Sequence, residues 1–323
     1  MGMLVNGEWR DVWYDTESHG GHFQREDARF RHWVTEDGAA GPTGEAGFRA
    51  ASGRYHLYVS LACPWAHRTL IARKLKGLEP HIDISIVSPL MLDHGWTFNT
   101  DEGSSGDRLL GCRYHHEVYT TAKPDYTGRV TVPLLWDTER QTIVSNESAD
   151  ILRMFNSAFN EITGNTVDLY PPELKEAIEH WNDRIYPAIN NGVYRAGFAT
   201  TQSAYEEAYR EVFAELDHLD AHLADHRYLC GERLTEADIR LFTTLIRFDA
   251  VYHGHFKCNR QRLEDFQHLP AYLRDIYQHR GIAETVDFQH IKTHYYASHR
   301  HINGTGIVPV GPEIDYDRHH GRG

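Results

Sequence analysis

The sequence predicts an α/β domain followed by an all-helical one, and three observations carry that prediction. Residues 54 to 160 read as strand, helix, strand, a long insert, then two strands and a helix. Beyond Pro171 the apolar residues recur at helical spacing. A chain of 323 residues is long enough for two domains of ordinary size. The parts divide as an irregular leader over 1–50, an α/β domain over 51–160, a helical domain over 171–286 and a tail over 287–323.

The leader is rich in Gly, Asp, Glu and His, with Phe23, Phe30 and Trp33 as aromatics that can dock on the body of the protein. Regular structure is expected from Tyr55-His56-Leu57-Tyr58-Val59-Ser60, whose β-rich alternation predicts a strand. Pro64 at the first helical position and Gly77 just past the end bound a helix running to Lys76. Ile82 to Val87 predicts a second strand. Residues 88–127, rich in Gly, Asp and Ser, form an insert too long for an ordinary connection, which suits an interface or a site. Val130-Thr131-Val132-Pro133-Leu134-Leu135-Trp136 and Thr142-Ile143-Val144 predict a hairpin. Ser145 and Asn146 are candidate caps for a helix with apolar residues at Ile151, Leu152, Phe155 and Phe159. In the helical part, Ala208, Tyr209, Val212, Phe213, Leu216, Leu219 and Leu223 form an apolar stripe. Thr235-Glu236-Ala237-Asp238 has capping-box form with Asp in place of Glu, and a further helix starts near Pro270. From 287 the chain reads as a tail that ends in Gly304, Gly306, Gly311 and Pro312.

Lys and Arg number 33 against 46 Asp and Glu, a formal charge of −13. A surface so acidic repels phosphate backbones and argues against a nucleic-acid partner. No apolar run approaches the roughly 20 residues that span a bilayer, and the N-terminus lacks the apolar core of a signal peptide. The expectation is a soluble, cytoplasmic protein with no membrane partner. Four cysteines, at 63, 112, 230 and 258, are too few and too scattered for a disulfide framework. The dense histidine groups His115-His116, His253-Gly254-His255 and His319-His320 lack the matched Cys or carboxylate set of a structural zinc site, so no metal is expected.

Cys63 stands directly before the proline-started helix. A helix N-terminus presents free N–H groups and about half a positive charge, which draws a thiol from about 8.5 toward roughly 3.5–7.5. His67 and Arg68 add positive residues in the first turn. The alternative, a buried structural cysteine, is weakened by Thr131-Val132-Pro133. A trans proline there would disrupt a central ladder, whereas a cis proline facing the cysteine leaves the adjoining backbone free to pair with an extended peptide. Ala66 fills the place of a partner cysteine. A mixed disulfide formed at Cys63 must therefore be resolved by an outside thiol. Glu147-Ser148 falls at a helix start, where the Ser148 hydroxyl and backbone N–H can hold the α-carboxylate of a γ-glutamyl peptide while Glu147 pairs with its ammonium.

This order of strand, Cys-Pro helix, Val-Pro strand and Glu-Ser helix resembles the thioredoxin-like arrangement of glutathione transferases. Cys63-Pro64-Trp65-Ala66-His67-Arg68, Arg129-Val130-Thr131-Val132-Pro133 and Ser145-Asn146-Glu147-Ser148 resemble in particular the glutathionyl-hydroquinone reductases, the Xi class. So do Asn190-Asn191-Gly192-Val193-Tyr194, His294-Tyr295-Tyr296, Gly95-Trp96 in the insert and the tail from Ile302 to Pro309. The resemblance spans nearly the whole chain. It implies a thioredoxin-like α/β N-terminal domain plus an all-α C-terminal domain, and a homodimer. It further implies that Cys63 attacks the sulfur of a glutathionyl-hydroquinone, releases hydroquinone, and is freed by a second glutathione. An aryl carbon leaves readily only if the ring first takes its keto form, so phenolic donors aimed at the ring oxygen would stabilise the developing charge. By resemblance these are Tyr194, Tyr252 and one of Tyr295 and Tyr296, Tyr295 being chosen. Trp96, Arg129, Val132, Glu147 and Ser148 would hold the co-substrate, glutathione or another γ-glutamyl thiol. Trp96 would cover the peptide, Arg129 pair with a carboxylate, and Val132 exchange backbone hydrogen bonds with the cysteinyl unit.

Two other classes stay open at this point: an omega-type monothiol thioltransferase or dehydroascorbate reductase, and a non-enzymatic binding protein. The tyrosines discriminate against the first, because disulfide exchange releases a thiolate and needs no oxyanion donor. A reactive Cys63 discriminates against the second. Cys112, Cys230 and Cys258 lie outside any activating motif and are expected to be inert.

Overall fold

Asn6 and Gly7 both take positive φ, 50° and 79°, the backbone of a two-residue turn that matches the twist of paired strands. They join β1 (Met3–Val5) to β2 (Glu8–Arg10) in an antiparallel hairpin where the sequence reading expects an irregular leader. The Asn-Gly pair is the local signal for it. The computed structural model describes residues 2–100 and 103–323. It divides into two compact units.

The first unit comprises Glu26–Asp168 with Thr285–Ser298 and the N-terminal segment up to Trp13. Its main sheet has the order β4-β3-β6-β7, formed by β3 (Tyr55–Val59), β4 (Ile82–Ile86), β6 (Leu134–Asp137) and β7 (Thr142–Ser145). β3 and β4 run parallel, joined by α1 (Pro64–Leu75), and the other pairs are antiparallel. Every residue of β3 is buried, as a central strand requires. Lys76 caps α1 and Gly77, at φ 65°, turns the chain away in a conformation that favours glycine. The insert is less loop-like than its composition predicts, because it contains α2 (His115–Ala122). The short β5 (Gly128–Arg129) pairs with β1, so the leader hairpin extends a second sheet. After β7 come α3 (Ser148–Ser157), which packs on α1, and the short α4 (Asn160–Thr163).

The second unit comprises Leu169–Glu284 with Tyr14–Arg25 and His299–Gly323. Its helices are α5 (Lys175–Ile185), α6 (Gly192–Gly197), α7 (Gln202–His222), α8 (Glu236–Leu245) and α9 (Leu269–Gln278). Five residues of the predicted stripe on α7, Ala208, Val212, Phe213, Leu216 and Leu219, are buried. The capping box at α8 forms as read: Asp238 Oδ2 accepts from Thr235 N at 2.9 Å and from Thr235 Oγ1 at 3.0 Å. Wide helical turns cover Tyr186–Asn190 and Phe248–Tyr252, closed by Asn191 N to Tyr186 O and His253 N to Phe248 O, both 2.8 Å. The stretch read as a tail opens with α10 (Phe288–Ser298), which belongs to the first unit.

Candidate active site

The chain leaves β3 and reaches Cys63 as the N-cap of α1, at φ −77° and ψ 122°. Its carbonyl accepts the first helical bond from His67 N at 3.0 Å. The thiol is half-buried and donates from Sγ to the Val132 carbonyl at 3.6 Å. The Val132–Pro133 peptide is cis. Among the described residues, the Val132 N–H meets no acceptor within the chain. Strand end, helix N-terminus and Val-Pro turn thus bring Cys63 and Val132 together.

The second motif is built where β7 turns into α3. The sequence reading names Ser145 and Asn146 as caps, but the cap is Glu147, whose Oε1 accepts from Ala149 N at 3.0 Å. The side chains of the two expected caps are engaged elsewhere: Ser145 Oγ accepts from Glu147 N at 3.1 Å, and Asn146 bonds across the fold. Ser148 Oγ lies 3.4 Å from Glu147 Oε1 and accepts from Arg68 Nη1, also at 3.4 Å. Arg68 is buried and its guanidinium lies over the Trp65 ring at 4.4 Å, so its charge is directed to the start of α3. His67, the other basic residue of that turn, has its Nε2 2.8 Å from Thr285 Oγ1.

Thr131, immediately before Val132, is held on every side. Its carbonyl accepts from His115 Nε2 at 3.0 Å and from Tyr119 OH at 2.9 Å. Its N–H donates back to Tyr119 OH at 3.2 Å. Asn146 Nδ2 donates to Tyr119 OH and to Thr131 Oγ1, each at 3.2 Å, and Asn146 Oδ1 accepts from Phe30 N at 3.1 Å. Burial pushes His115 down to about 4, so at neutral pH its imidazole is uncharged and its single proton sits on Nε2. Burial raises the Tyr119 phenol, keeping its proton in place as a donor. Sequence reasoning weighs His115 only as part of a metal set, does not single out Tyr119, and reads Asn146 as a helix cap.

Trp96 is buried and stacks on His294 of α10, with ring centroids 4.7 Å apart, and its carbonyl accepts from His115 N at 2.9 Å. Tyr295 follows His294 and is buried in the same unit, whereas Tyr296 is half-buried. Arg129 donates to the carbonyls of Val12 at 2.5 Å and Trp13 at 3.1 Å, and its Nε lies 3.7 Å from Glu26 Oε1. Tyr194 and Tyr252 fall in the second unit, and the fold brings them together there with ring centroids 6.0 Å apart. Phe256 lies 5.4 Å from each, and the Arg25 guanidinium lies 4.6 Å over the Tyr194 ring. Both tyrosines follow or end a wide helical turn, a feature common at functional sites.

Burial pushes the other thiols up, Cys112 and Cys258 to about 12 and Cys230 to about 11, which leaves them protonated and poorly nucleophilic. Among the described residues no group of three or more His, Cys, Asp or Glu could hold a metal ion, and no helix is long and apolar enough to cross a membrane.

Residues 62–158 match the family model of the glutathione S-transferase N-terminal domain, and residues 202–278 match that of the C-terminal domain. A solved Xi-class transferase from Natrialba magadii superposes with a TM-score of 0.93 at 51% identity, covering 100% of this chain and 97% of that one. The chain belongs to the Xi class of the glutathione transferases. Glutathionyl-hydroquinone reductase YqjG of Escherichia coli K12 is 58% identical to this Xi-class chain over 323 residues, covering 100% of it and 98% of the relative. PcpF of Sphingobium chlorophenolicum, also named a glutathionyl-hydroquinone reductase, is 50% identical over 97% of this chain and 96% of its own length. The glutathione-bound structure of YqjG superposes with a TM-score of 0.92, covering 99% of each chain.

Proposed function

We propose that this protein reduces glutathionyl-hydroquinones to hydroquinones at the expense of glutathione, with Cys63 as the nucleophile. The observation that carries the reading is the half-buried Cys63 thiol at the N-terminus of α1, 3.6 Å from the Val132 carbonyl, with Ala66 in the place of a second cysteine. The helix end favours the thiolate, which attacks the glutathione sulfur of the conjugate. An S–S bond forms, the aryl C–S bond breaks, and its electron pair passes to the keto tautomer of the ring, which leaves as an enolate and takes one proton to become hydroquinone. A second glutathione thiolate attacks the glutathione sulfur of the mixed disulfide. Cys63 departs as thiolate and glutathione disulfide is released. One conjugate and one glutathione thus give one hydroquinone and one glutathione disulfide.

In this reading Val132 pairs with the cysteinyl backbone of glutathione, Ser148 and the α3 N-terminus hold its γ-glutamyl carboxylate, and Glu147 its ammonium. Trp96 covers the peptide and Arg129 pairs with a carboxylate. Tyr194, Tyr252 and Tyr295 donate to the ring oxygen as charge develops there. Relatives whose names carry the activity at up to 58% identity support the substrate class. We place the enzyme in the cytoplasm without a metal, as the sequence reading expects, and as a homodimer, as the resemblance implies; light scattering on the purified protein reads the assembly directly.

The test is to supply a glutathionyl-hydroquinone and glutathione to the wild type and to Cys63→Ala. Hydroquinone and glutathione disulfide should appear in equal amounts with the wild type, and the variant should lose about a thousandfold or more, as expected when a nucleophile is removed. Equal rates would take Cys63 out of the mechanism.

A further inference from the structure

Resting on the reading of Val132 and Glu147-Ser148 as the glutathione cradle, we propose that Asn146 is a positioning residue, acting with Tyr119 and His115 to aim the Val132 amide at the bound tripeptide. In a trans peptide the C=O and the following N–H lie in one plane and point in opposite directions. The peptide joining Thr131 to Val132 is of this kind, the cis bond being the next one. Fixing the Thr131 oxygen therefore fixes the direction of the Val132 N–H. The fold spends two donors on that oxygen, His115 Nε2 and Tyr119 OH, which fill both of its lone pairs. On its other side Val132 receives the Cys63 thiol.

The remaining donors and acceptors converge on Asn146. The Tyr119 hydroxyl has one proton, given to Thr131 O, and two lone pairs, taken by Thr131 N and Asn146 Nδ2. The second Asn146 amide proton goes to Thr131 Oγ1, and its oxygen is taken by the Phe30 N–H of the leader. Asn146 N in turn donates to Phe30 O at 3.2 Å, so leader and side chain are locked together. His115, Tyr119 and Asn146 are all buried, where a misdirected polar group is costly and the geometry is correspondingly strict. Asn146 is also bonded covalently to Glu147. One side chain thereby sets the distance between the turn that would meet the cysteinyl unit and the helix start that would meet the γ-glutamyl end. Its effect belongs on glutathione binding, because Cys63 sits on α1 and takes its activation from that helix.

The test uses S-methylglutathione, which cannot form a disulfide, with Thr131→Val and Asn146→Asp in the full-length protein. Thr131→Val removes only the hydroxyl that receives Asn146. Asn146→Asp keeps the acceptor for Phe30 but loses both donations. Calorimetric titration should show binding weakened about threefold in the first and about tenfold in the second, the scale of one or two net hydrogen bonds. The rate of Cys63 alkylation by iodoacetamide, followed from pH 5 to 9, should be unchanged in both. Weakened melting with undiminished affinity in the folded variants would make the network purely structural and overturn the proposal, as would a shift of the alkylation profile in step with the loss of binding. A wild type that fails to bind the probe would instead overturn the glutathione reading, and the positioning role with it.

Discussion

Around Val132 the first unit positions backbone with hydrogen bonds: two donors on Thr131 O, one side chain linking turn, leader and helix start. Around Tyr194 and Tyr252 the second unit positions side chains with ring contacts, to Phe256 and Phe198, and with the Arg25 guanidinium on one face. A hydrogen bond fixes direction as well as place, whereas ring packing chiefly fixes place. A peptide of constant structure suits the first construction. An aromatic ring that varies from substrate to substrate suits the second.

Burial acts on an ionisable ring in both units. Each holds an imidazole pushed down to about 4, His115 in the first and His255 in the second. Burial is the chief cause for both; Lys257 and His301 add to it at His255, while the Thr131 carbonyl and Asp107 oppose it at His115. The unfolded chain protonates these rings near 6.5, the native protein only near 4, so the unfolded state binds more protons between those values. Stability therefore falls as pH drops through that window, by up to about 3 kcal/mol for each ring. Urea unfolding at a series of pH values should show a shallower acid loss in His115→Gln and in His255→Gln than in the wild type. Identical slopes in all three proteins would remove these histidines from the acid response.

If the tyrosines serve only packing, their hydroxyls are dispensable to the chemistry. Tyr194→Phe and Tyr252→Phe keep the rings and remove the donors. Each should slow hydroquinone release about a hundredfold, the usual cost of an oxyanion donor. Neither should alter reduction of a protein–glutathione mixed disulfide, whose leaving group is already a stable thiolate. Equal losses on both substrates would return the protein to the omega-type thioltransferase reading.

The two regions also differ in how far the sequence exposes them. Cys63-Pro64 and the Thr235–Asp238 box act through neighbours a few residues away, so their order along the chain already states their geometry. The hairpin at Asn6-Gly7 is equally local, and the composition of the leader obscured it. The Thr131 network is of another kind: its partners come from the leader, the insert and the start of α3, and no spacing rule links His115 to Thr131 or Phe30 to Asn146. Tyr194 and Tyr252 are two of 18 tyrosines and stand out only through the family resemblance, until the fold places their rings side by side.

The helix starts of α3 and α8 are capped differently. Helix α3 in the first unit is capped by Glu147, a residue type outside the favoured set of Ser, Thr, Asp and Asn. Helix α8 in the second unit is capped by Thr235 within a complete box, buried and bonded to Asp238. If Glu147 is retained for the ammonium of glutathione, a better cap should stabilise the fold at the expense of the site. Glu147→Asn is expected to raise stability by about 0.5 kcal/mol, while S-methylglutathione binds about tenfold more weakly for want of a charge-assisted bond. Thr235→Ala should do the reverse, costing about 1 kcal/mol in thermal unfolding and leaving the affinity as it was. A Glu147→Asn protein that binds the analogue as well as the wild type would show that this cap, like the one on α8, belongs to the fold alone, and the pairing of Glu147 with the γ-glutamyl end would have to be withdrawn.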